Sequence, residues 1–493
     1  MICRPIENPG PERCFRLPPY THQLEEWKKS KDLEGYALWW EMGTGKSCCT
    51  IGTAAYLYLT GKIDGVVILA PNSVHVNWTE DEIPTHMPDD IQAETRMMTW
   101  YSSKGGQKGT QKVLKDLIAH DGLSVLSMSY NSLMTQAGAK AVKAMLQKRK
   151  CIYVFDESGR FKNPGAKRTK RVMASCTYAL YARVLTGTPV DNSPFDVFTG
   201  VKAVRPDIWV NLGLRTFASF KQHFGIWERR VNQQQGRQFE VLVRYRNLAQ
   251  LKDIVDSVGS RLLKCDVLDL PAKLYEKRYF DLDPAQSKAY KELEKQYRTF
   301  LEGGDVVTAD LALTRMLRMQ QITSGFVGND DDNLVPLGTK TRLASLQEVL
   351  EDLGDTPTLI FAKYSQEIDD IAGLVGDKCV TFDGRTNDHD RARAKQQFQK
   401  DRTKQFFVAK PSAAGEGLTL HTAKCVIYYS NSFSLRERVQ SEDRAHRAGM
   451  DGDPVLYIDL LARGTIDEYV LDALRNKRNL AAAVTGDDLP TWA

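Results

Sequence analysis

A short window sets the first chemical expectation. In Glu41-Met-Gly-Thr-Gly-Lys-Ser47, Gly43 and Gly45 flank Thr44, and Lys46 and Ser47 follow at once. Glycines let a backbone turn tightly around an anion, and the amides that open a following helix point at it. Lys46 is spaced to reach the β- and γ-phosphates of a nucleotide, and Ser47 to hold magnesium. The first glycine of the common pattern is missing, because Trp40 occupies that place. The setting is nonetheless right. The apolar run Tyr36-Ala-Leu-Trp-Trp40 precedes the loop, and an apolar helical pattern from Cys48 to Leu59 follows it. Strand, loop and helix in that order are what such a loop requires.

A phosphate loop needs an acid at the end of a neighbouring strand. Cys151-Ile-Tyr-Val-Phe155 reads as a buried strand and ends in Asp156 and Glu157. Adjacent carboxylates there are costly unless they serve a site. Asp156 suits the magnesium role, and Glu157 suits polarisation of an attacking water. A basic run follows: Arg160, Lys162, Lys167, Arg168, Lys170 and Arg171, with no acid among residues 159–175. Two readings stand for it, a solvated helix face or contacts to nucleic-acid phosphates. Late in the chain, Arg444 and Arg447 are three apart on an expected helix and share a face. Arginine forks match the equatorial oxygens of a transferring phosphoryl group. A charged surface helix pairing them with Glu442 and Asp443 is the plainer reading.

These residues need rigid elements to hold them. Runs at 36–40, 65–70, 124–128, 151–155 and 183–186 read as buried parallel strands. A second series falls at 358–361, 379–382, 405–409, 425–429 and 455–458. Between the series lies a polar, helix-rich stretch, about 195–350, and Asn329-Asp-Asp-Asp-Asn333 within it reads as a surface loop. The fold class is therefore α/β, with two parallel sheets flanked by helices and a helical insertion. The 493 residues suit about two to four domains. Hydrophobic residues at 42% and charged residues at 26% exclude a disordered or fibrous chain.

The net charge of +5, from 67 Lys+Arg against 62 Asp+Glu, does not announce a polyanion partner, so any such site must come from placement of charge. The nine cysteines are scattered without a CxxC pair, which signals neither a disulfide framework nor zinc. No apolar run reaches the roughly 18 residues of a membrane helix. The Pro-rich start, residues 1–14, reads as an irregular arm. A soluble intracellular protein is expected.

The motifs together resemble the Swi/Snf-type ATPases, within the larger DEAD/H-box class of helicases. Their usual DEMGLGKT loop corresponds to Trp40-Glu-Met-Gly-Thr-Gly-Lys-Ser47, and their DEAH-x-x-KN box to Asp156-Glu-Ser-Gly-Arg-Phe-Lys-Asn163. LTGTP-x-x-N corresponds to Leu185-Thr-Gly-Thr-Pro-Val-Asp-Asn192, and QAEDRAHR to Gln440-Ser-Glu-Asp-Arg-Ala-His-Arg447. Weaker matches include Pro19-Tyr-Thr-His-Gln23, Leu69-Ala-Pro with Asn77-Trp78, Val267 to Lys273, Phe382 to Thr386, Gly415 to Leu420 and Gly464 to Glu468. The resemblance covers about 15–475, in the family's order. Ser158-Gly159 depart from the usual Ala-His, and Trp39 and Trp40 from small or acidic residues.

The resemblance implies two RecA-like lobes. These are an ATP-binding lobe at 15–275, with the helical insertion at about 195–275, and a helicase C-terminal lobe at 276–493. Within the second, Lys277 to Phe300 resembles the lobe's helical start, with Tyr290, Leu293, Tyr297 and Phe300 in its core. The resemblance implies ATP and Mg2+ as cofactors, Gln23 reading adenine, and Arg444 and Arg447 acting across the cleft. It makes Thr186, Gly187 and Thr188 a link to the nucleic-acid face, with Lys162, Ser412, Gly415 and Gly417 as contacts there. The expected activity is an ATP-dependent translocase on double-stranded DNA, acting as a monomer. An RNA or branched-DNA helicase and a nucleotide-gated scaffold with little hydrolysis are the alternatives. The insertion's Lys221, Arg229, Arg230, Arg237, Arg244 and Arg246, mixed with Trp227, Phe239 and Tyr245, suit either a nucleic-acid surface or a charged exterior. No reader of base sequence is recognisable. The expected setting is a compact bacterial or viral protein in the cytoplasm, or the nucleus if eukaryotic.

Overall fold

The computed structural model describes residues 5–72, 74–231, 238–302, 309–328, 334–386, 388–414, 420–447 and 452–487. The chain forms two compact units. The first holds Met1–Phe224, Tyr245–Leu268 and Leu480–Asp488, and the second Gly225–Arg244, Asp269–Asn479 and Leu489–Ala493.

The first unit carries β1 (Gly35–Trp40), β2 (Gly65–Ala70), β3 (Thr95–Trp100), β4 (Leu123–Ser129), β5 (Cys151–Asp156) and β6 (Tyr181–Leu185). It also carries β9 (Gly259–Leu262); between β6 and β9 the chain forms β7 (Gly225–Val231) and β8 (Gln238–Tyr245), a two-stranded sheet of their own whose residues up to Arg244 belong to the second unit. The large sheet has the order β3-β4-β2-β5-β6-β1-β9, and its pairs are parallel. Its central strands are apolar runs because helices cover both faces. Helix Lys46–Leu59 sets Ile51, Ala55 and Leu57 in one core with Leu38, Ile68, Val125 and Val154. Burying each large aliphatic side chain contributes about 1.5–3 kcal/mol.

The bulk of Trp39 has a visible accommodation. A Cβ on Gly259 would stand 2.3 Å from the Ala37 carbonyl oxygen and 2.7 Å from the Trp39 indole nitrogen. Only glycine lets β9 lie that close to β1.

The second unit carries β10 (Lys273–Phe280), the short pair β11 (Phe326–Gly328) and β12 (Leu334–Pro336), then β13 (Thr358–Phe361), β14 (Cys379–Phe382), β15 (Phe406–Ala409), β16 (Cys425–Tyr428) and β17 (Val455–Ala462). The parallel sheet runs β10-β17-β16-β13-β15-β14. Leu359 and Phe361 join the core on one face, while Ile360 joins the core on the other. Such alternation gives the strand its unbroken apolar spelling.

The expected fold class holds: two parallel sheets flanked by helices. The stretch expected as a helical insertion contains helices Val197–Val204, Phe217–Phe224 and Leu248–Ser257, together with the β7–β8 pair and β9. The helix expected from Lys277 instead starts at Pro284, because Lys273–Phe280 is a strand paired with β17. Tyr290 is buried in that helix as expected, and Leu293 is half-buried. The loop expected at 329–333 lies outside the described residues. Among the described residues no helix is long and apolar enough to cross a membrane.

Candidate functional site

β1 delivers the chain into the glycine loop, where Gly43 and Gly45 take φ of 82° and 91°. Gly45 is the cap position of helix Lys46–Leu59 and has no side chain to cap the helix's first amides. That leaves a set of donors and the positive end of the helix facing the loop. Lys46 Nζ donates to the Trp40 and Glu41 carbonyls at 2.9 and 3.0 Å. Thr44 is buried and donates to the Glu41 carbonyl at 2.8 Å. Ser47 is half-buried at the helix start. Gln23 accepts from the Tyr20 amide at 3.1 Å and donates to the Thr44 carbonyl at 3.3 Å. A Cβ on Gly45 would stand 2.0 Å from Gln23 Nε2, so this close approach also requires glycine.

Trp40, in place of the usual first glycine, is buried and donates to Ser260 Oγ at 2.8 Å. The loop's missing glycine is thus a core residue of the sheet.

Two strands away, β5 ends in Asp156. Its Oδ2 accepts the Trp78 indole N–H at 2.9 Å, and its carbonyl accepts the Tyr130 hydroxyl at 2.9 Å. Burial, reinforced by Glu157, pushes the Asp156 carboxyl up to about 7 against the opposing pull of Trp78 and Lys46. Glu157 adopts the left-handed backbone, φ 52° and ψ 57°, which costs a non-glycine residue about 1–3 kcal/mol. Its Oε2 is buried without a hydrogen-bond partner. Thr188 Oγ1 is in the same condition.

Thr186 is buried and accepts the Thr188 amide at 3.2 Å. Gly187 packs on the glycine loop: a Cβ there would stand 3.3 Å from Glu41 Cα and from the Trp40 carbonyl oxygen. The Thr186–Thr188 turn and the phosphate loop are therefore in contact. Arg261 ties them further, donating to the Trp39 and Gly187 carbonyls while Asp487 holds it from both oxygens at 2.8 Å.

The basic run divides. Lys162 is committed to Asp191 at 2.6 Å and Asp196 at 3.2 Å. Arg168 donates to Asn131 and Arg171 to the Met134 carbonyl. Lys167 and Lys170 are exposed on helix Lys167–Cys176.

In the second unit, helix Leu435–Ala445 carries Arg444, which is buried with Nε donating to the Gln440 carbonyl at 3.1 Å. Arg447 follows the helix and is half-buried. A buried ionic cluster fixes this helix. Arg438 pairs with Glu442 at 2.9 Å and with Asp459, and Lys273 and Tyr275 reach the other Glu442 oxygen at 3.1 and 2.9 Å. Burial alone would raise the Glu442 carboxyl, but Lys273 and Arg438 hold it below its ordinary value. His446 Nε2 lies 2.7 Å from the Pro271 carbonyl oxygen, a structural contact. Ser412 is exposed on the short helix Pro411–Ala414, while Gly415 and Gly417 lie outside the described residues.

In the first unit the glycine loop can hold phosphates, and the donor set fits a magnesium nucleotide. The amides of the helix start, Lys46, the Ser47 hydroxyl and the Asp156 carboxylate, on which Lys46 acts electrostatically, form that set, and Glu157 and Thr188 each keep a buried side-chain oxygen without a protein partner. Residues 25–326 match the SNF2-related domain, and residues 341–449 match the helicase conserved C-terminal domain.

The chain belongs to the SNF2-related family. It is 26% identical over 464 residues to the DNA annealing helicase and endonuclease ZRANB3 of Bos taurus, covering 91% of this chain and 38% of that protein. It is 25% identical over 456 residues to SWI/SNF-related matrix-associated actin-dependent regulator of chromatin subfamily A-like protein 1 of Xenopus tropicalis, covering 89% and 42%. Among solved structures, the Sulfolobus solfataricus SWI2/SNF2 ATPase core in complex with dsDNA aligns at 21% identity and TM-score 0.42, covering 98% of this chain and 96% of that one. The chain spans about two fifths of the length of these curated relatives.

Four residues around the loop and the carboxylates are weakly marked in sequence or not at all. Trp78 is part of a weak match only, and Tyr130, Arg261 and Asp487 carry no local signal. Their partners are 26 to 226 positions away in sequence, so no local spacing betrays them.

Proposed function

We propose that this chain is an ATP-dependent translocase on double-stranded DNA. The observation that carries the reading is the uncapped helix at Lys46 beside two carboxylates, one with a buried oxygen left unpaired. Lys46 and the loop amides around Gly43, Thr44 and Gly45 bind the phosphates of the substrate ATP, and Gln23 braces the loop on the base side. Ser47 and Asp156 are the residues to hold magnesium, which would neutralise charge between the phosphates. Glu157 accepts a proton from the attacking water. Arg444 and Arg447 stabilise charge on the transferred group.

Membership of the SNF2-related family supports the nucleic-acid half of the reading, as do the names of relatives that act on DNA and chromatin. The contact of Thr186–Thr188 with the phosphate loop supplies a route from hydrolysis to a DNA-facing segment. Exposed Lys167 and Lys170, with Ser412 and Gly415 and Gly417 of the second lobe, are the proposed phosphate contacts. Tracking a backbone in this way needs salt-sensitive contacts and little base reading. The related name "DNA annealing helicase" favours a second reading, in which branched DNA is the substrate.

The test is ATP hydrolysis against duplex, single-stranded, forked and RNA ligands at several salt concentrations. Duplex stimulation is expected. Stimulation by single-stranded RNA alone would sink the reading, and preference for forks would shift it to branched DNA. Arg447→Ala is expected to lower turnover with ATP affinity less affected, and an unchanged turnover number would remove its role.

A further inference from the structure

Trp78 has a place in the site that the motif reading does not explain. It opens a π-helical turn, Trp78–Glu82, set between helical turns Val74–Asn77 and Ile83–His86. The Ile83 amide reaches back to the Trp78 carbonyl, a five-residue closure. π turns carry a register penalty and recur at functional sites. Here the turn delivers the indole N–H to Asp156 Oδ2 at 2.9 Å, from a ring that is only 2% exposed.

That bond occupies Asp156 Oδ2 and fixes the rotation of the carboxylate. Tyr130 makes a different contact, to the main-chain carbonyl of the same residue. We propose that Trp78 is a positioning residue for magnesium binding, orienting the Asp156 carboxylate through its indole N–H. The inference rests on the ATPase reading above. Groups that orient a metal's own ligands commonly change metal affinity about 10–100-fold when removed.

The experiment uses the full chain and a fluorescent ADP analogue, titrated with magnesium. Trp78→Phe keeps the ring and removes the donor. Analogue affinity in chelator is expected to stay within about twofold, while the magnesium concentration for half-maximal tight binding rises about tenfold or more. Tyr130→Phe, which does not touch the carboxylate oxygens, is expected to leave that midpoint in place. A wild-type midpoint in Trp78→Phe overturns the proposal, and so does an equal shift in both variants, which would mean general loosening of the end of β5. If Trp78→Phe does not fold, Trp78→Met takes its place. It fills the same buried position without a donor and is expected to raise the midpoint about tenfold, with an unmoved midpoint again overturning the proposal. Failure of the ATPase reading looks different, because the unaltered protein would then show no magnesium-dependent nucleotide binding at all.

Discussion

In the first unit, half-buried Asp156 takes one side-chain donor, the Trp78 indole, and Glu157 keeps a buried oxygen without a protein partner on a left-handed backbone. In the second unit, Glu442 and Asp459 are buried, and every carboxylate oxygen meets a donor from Arg438, Lys273, Tyr275 or Asn431. Buried charge is expensive unless paired, so the second cluster is a closed structural device and the first is an open one. An open cluster suits a site that binds a cationic or protic ligand. The difference also explains the strain. Glu157 is held in an unfavourable conformation where function can repay it, while the closed cluster lies on regular helix and strand.

The comparison is tested most severely by emptying the open cluster of its cation. Lys46→Ala should reduce nucleotide affinity at least about 100-fold by calorimetry, because several charge-assisted hydrogen bonds go together. Retained binding would show that the uncapped helix, not the lysine, dominates. Glu157→Gln should keep nucleotide affinity within about twofold and lower turnover about 10²–10⁴-fold, the usual worth of a general base. Normal turnover would assign the unpaired oxygen to structure instead.

Acidity separates the two clusters by sign. The Asp156 carboxyl is raised from 3.8 to about 7, so burying it costs nothing below 3.8 and progressively more as pH climbs to 7. Metal-free Asp156→Asn should therefore match the parent near about pH 4 and exceed its stability near about pH 8 by roughly 2–4 kcal/mol, at about 1.4 kcal/mol per pH unit. Glu442 runs the other way. Its carboxyl is held below 4.5, so its stabilisation is complete above 4.5 and is lost as pH falls through the folded value. Glu442→Gln should lose about 3–5 kcal/mol at neutral pH by taking one buried charged partner from both Lys273 and Arg438, with the gap narrowing on acidification. Thermal or denaturant melts across pH read both. Parallel profiles for the two variants would end the distinction between open and closed clusters.

What could be read in advance follows the same physics. Central strands such as Gly65–Ala70 and Cys151–Asp156 are covered on both faces and announce themselves as apolar runs. The edge strands β3, β9 and β10 are half-solvated, mix polar with apolar residues and were missed. The phosphate loop and the paired acids were legible because their chemistry depends on local order. Trp78 and Tyr130 were not, since they act on Asp156 only after three strands have assembled. Lys162 is hard to read for a related reason. Its neighbours in sequence are basic, but its partners Asp191 and Asp196 arrive from beyond the next strand.

That last case yields the smallest effect and the finest division of the basic run. Lys162 and Lys167 are spelled alike and stand five positions apart, but one is paired and half-buried and the other is exposed. Lys162→Met should cost about 1–3 kcal/mol of stability, because Asp191 loses its charged partner in a poorly solvated place. It should leave the salt dependence of duplex binding unchanged. Lys167→Ala should do the reverse, altering stability by no more than about 0.5 kcal/mol. If Lys167 meets a phosphate, the slope of log affinity against log salt should fall by about one. A slope that does not move would make the exposed half of the run a solvated helix face. The nucleic-acid contacts would then have to be sought at Ser412 and its neighbours, where backbone amides rather than lysines would carry them, with a weaker salt dependence than a lysine track requires.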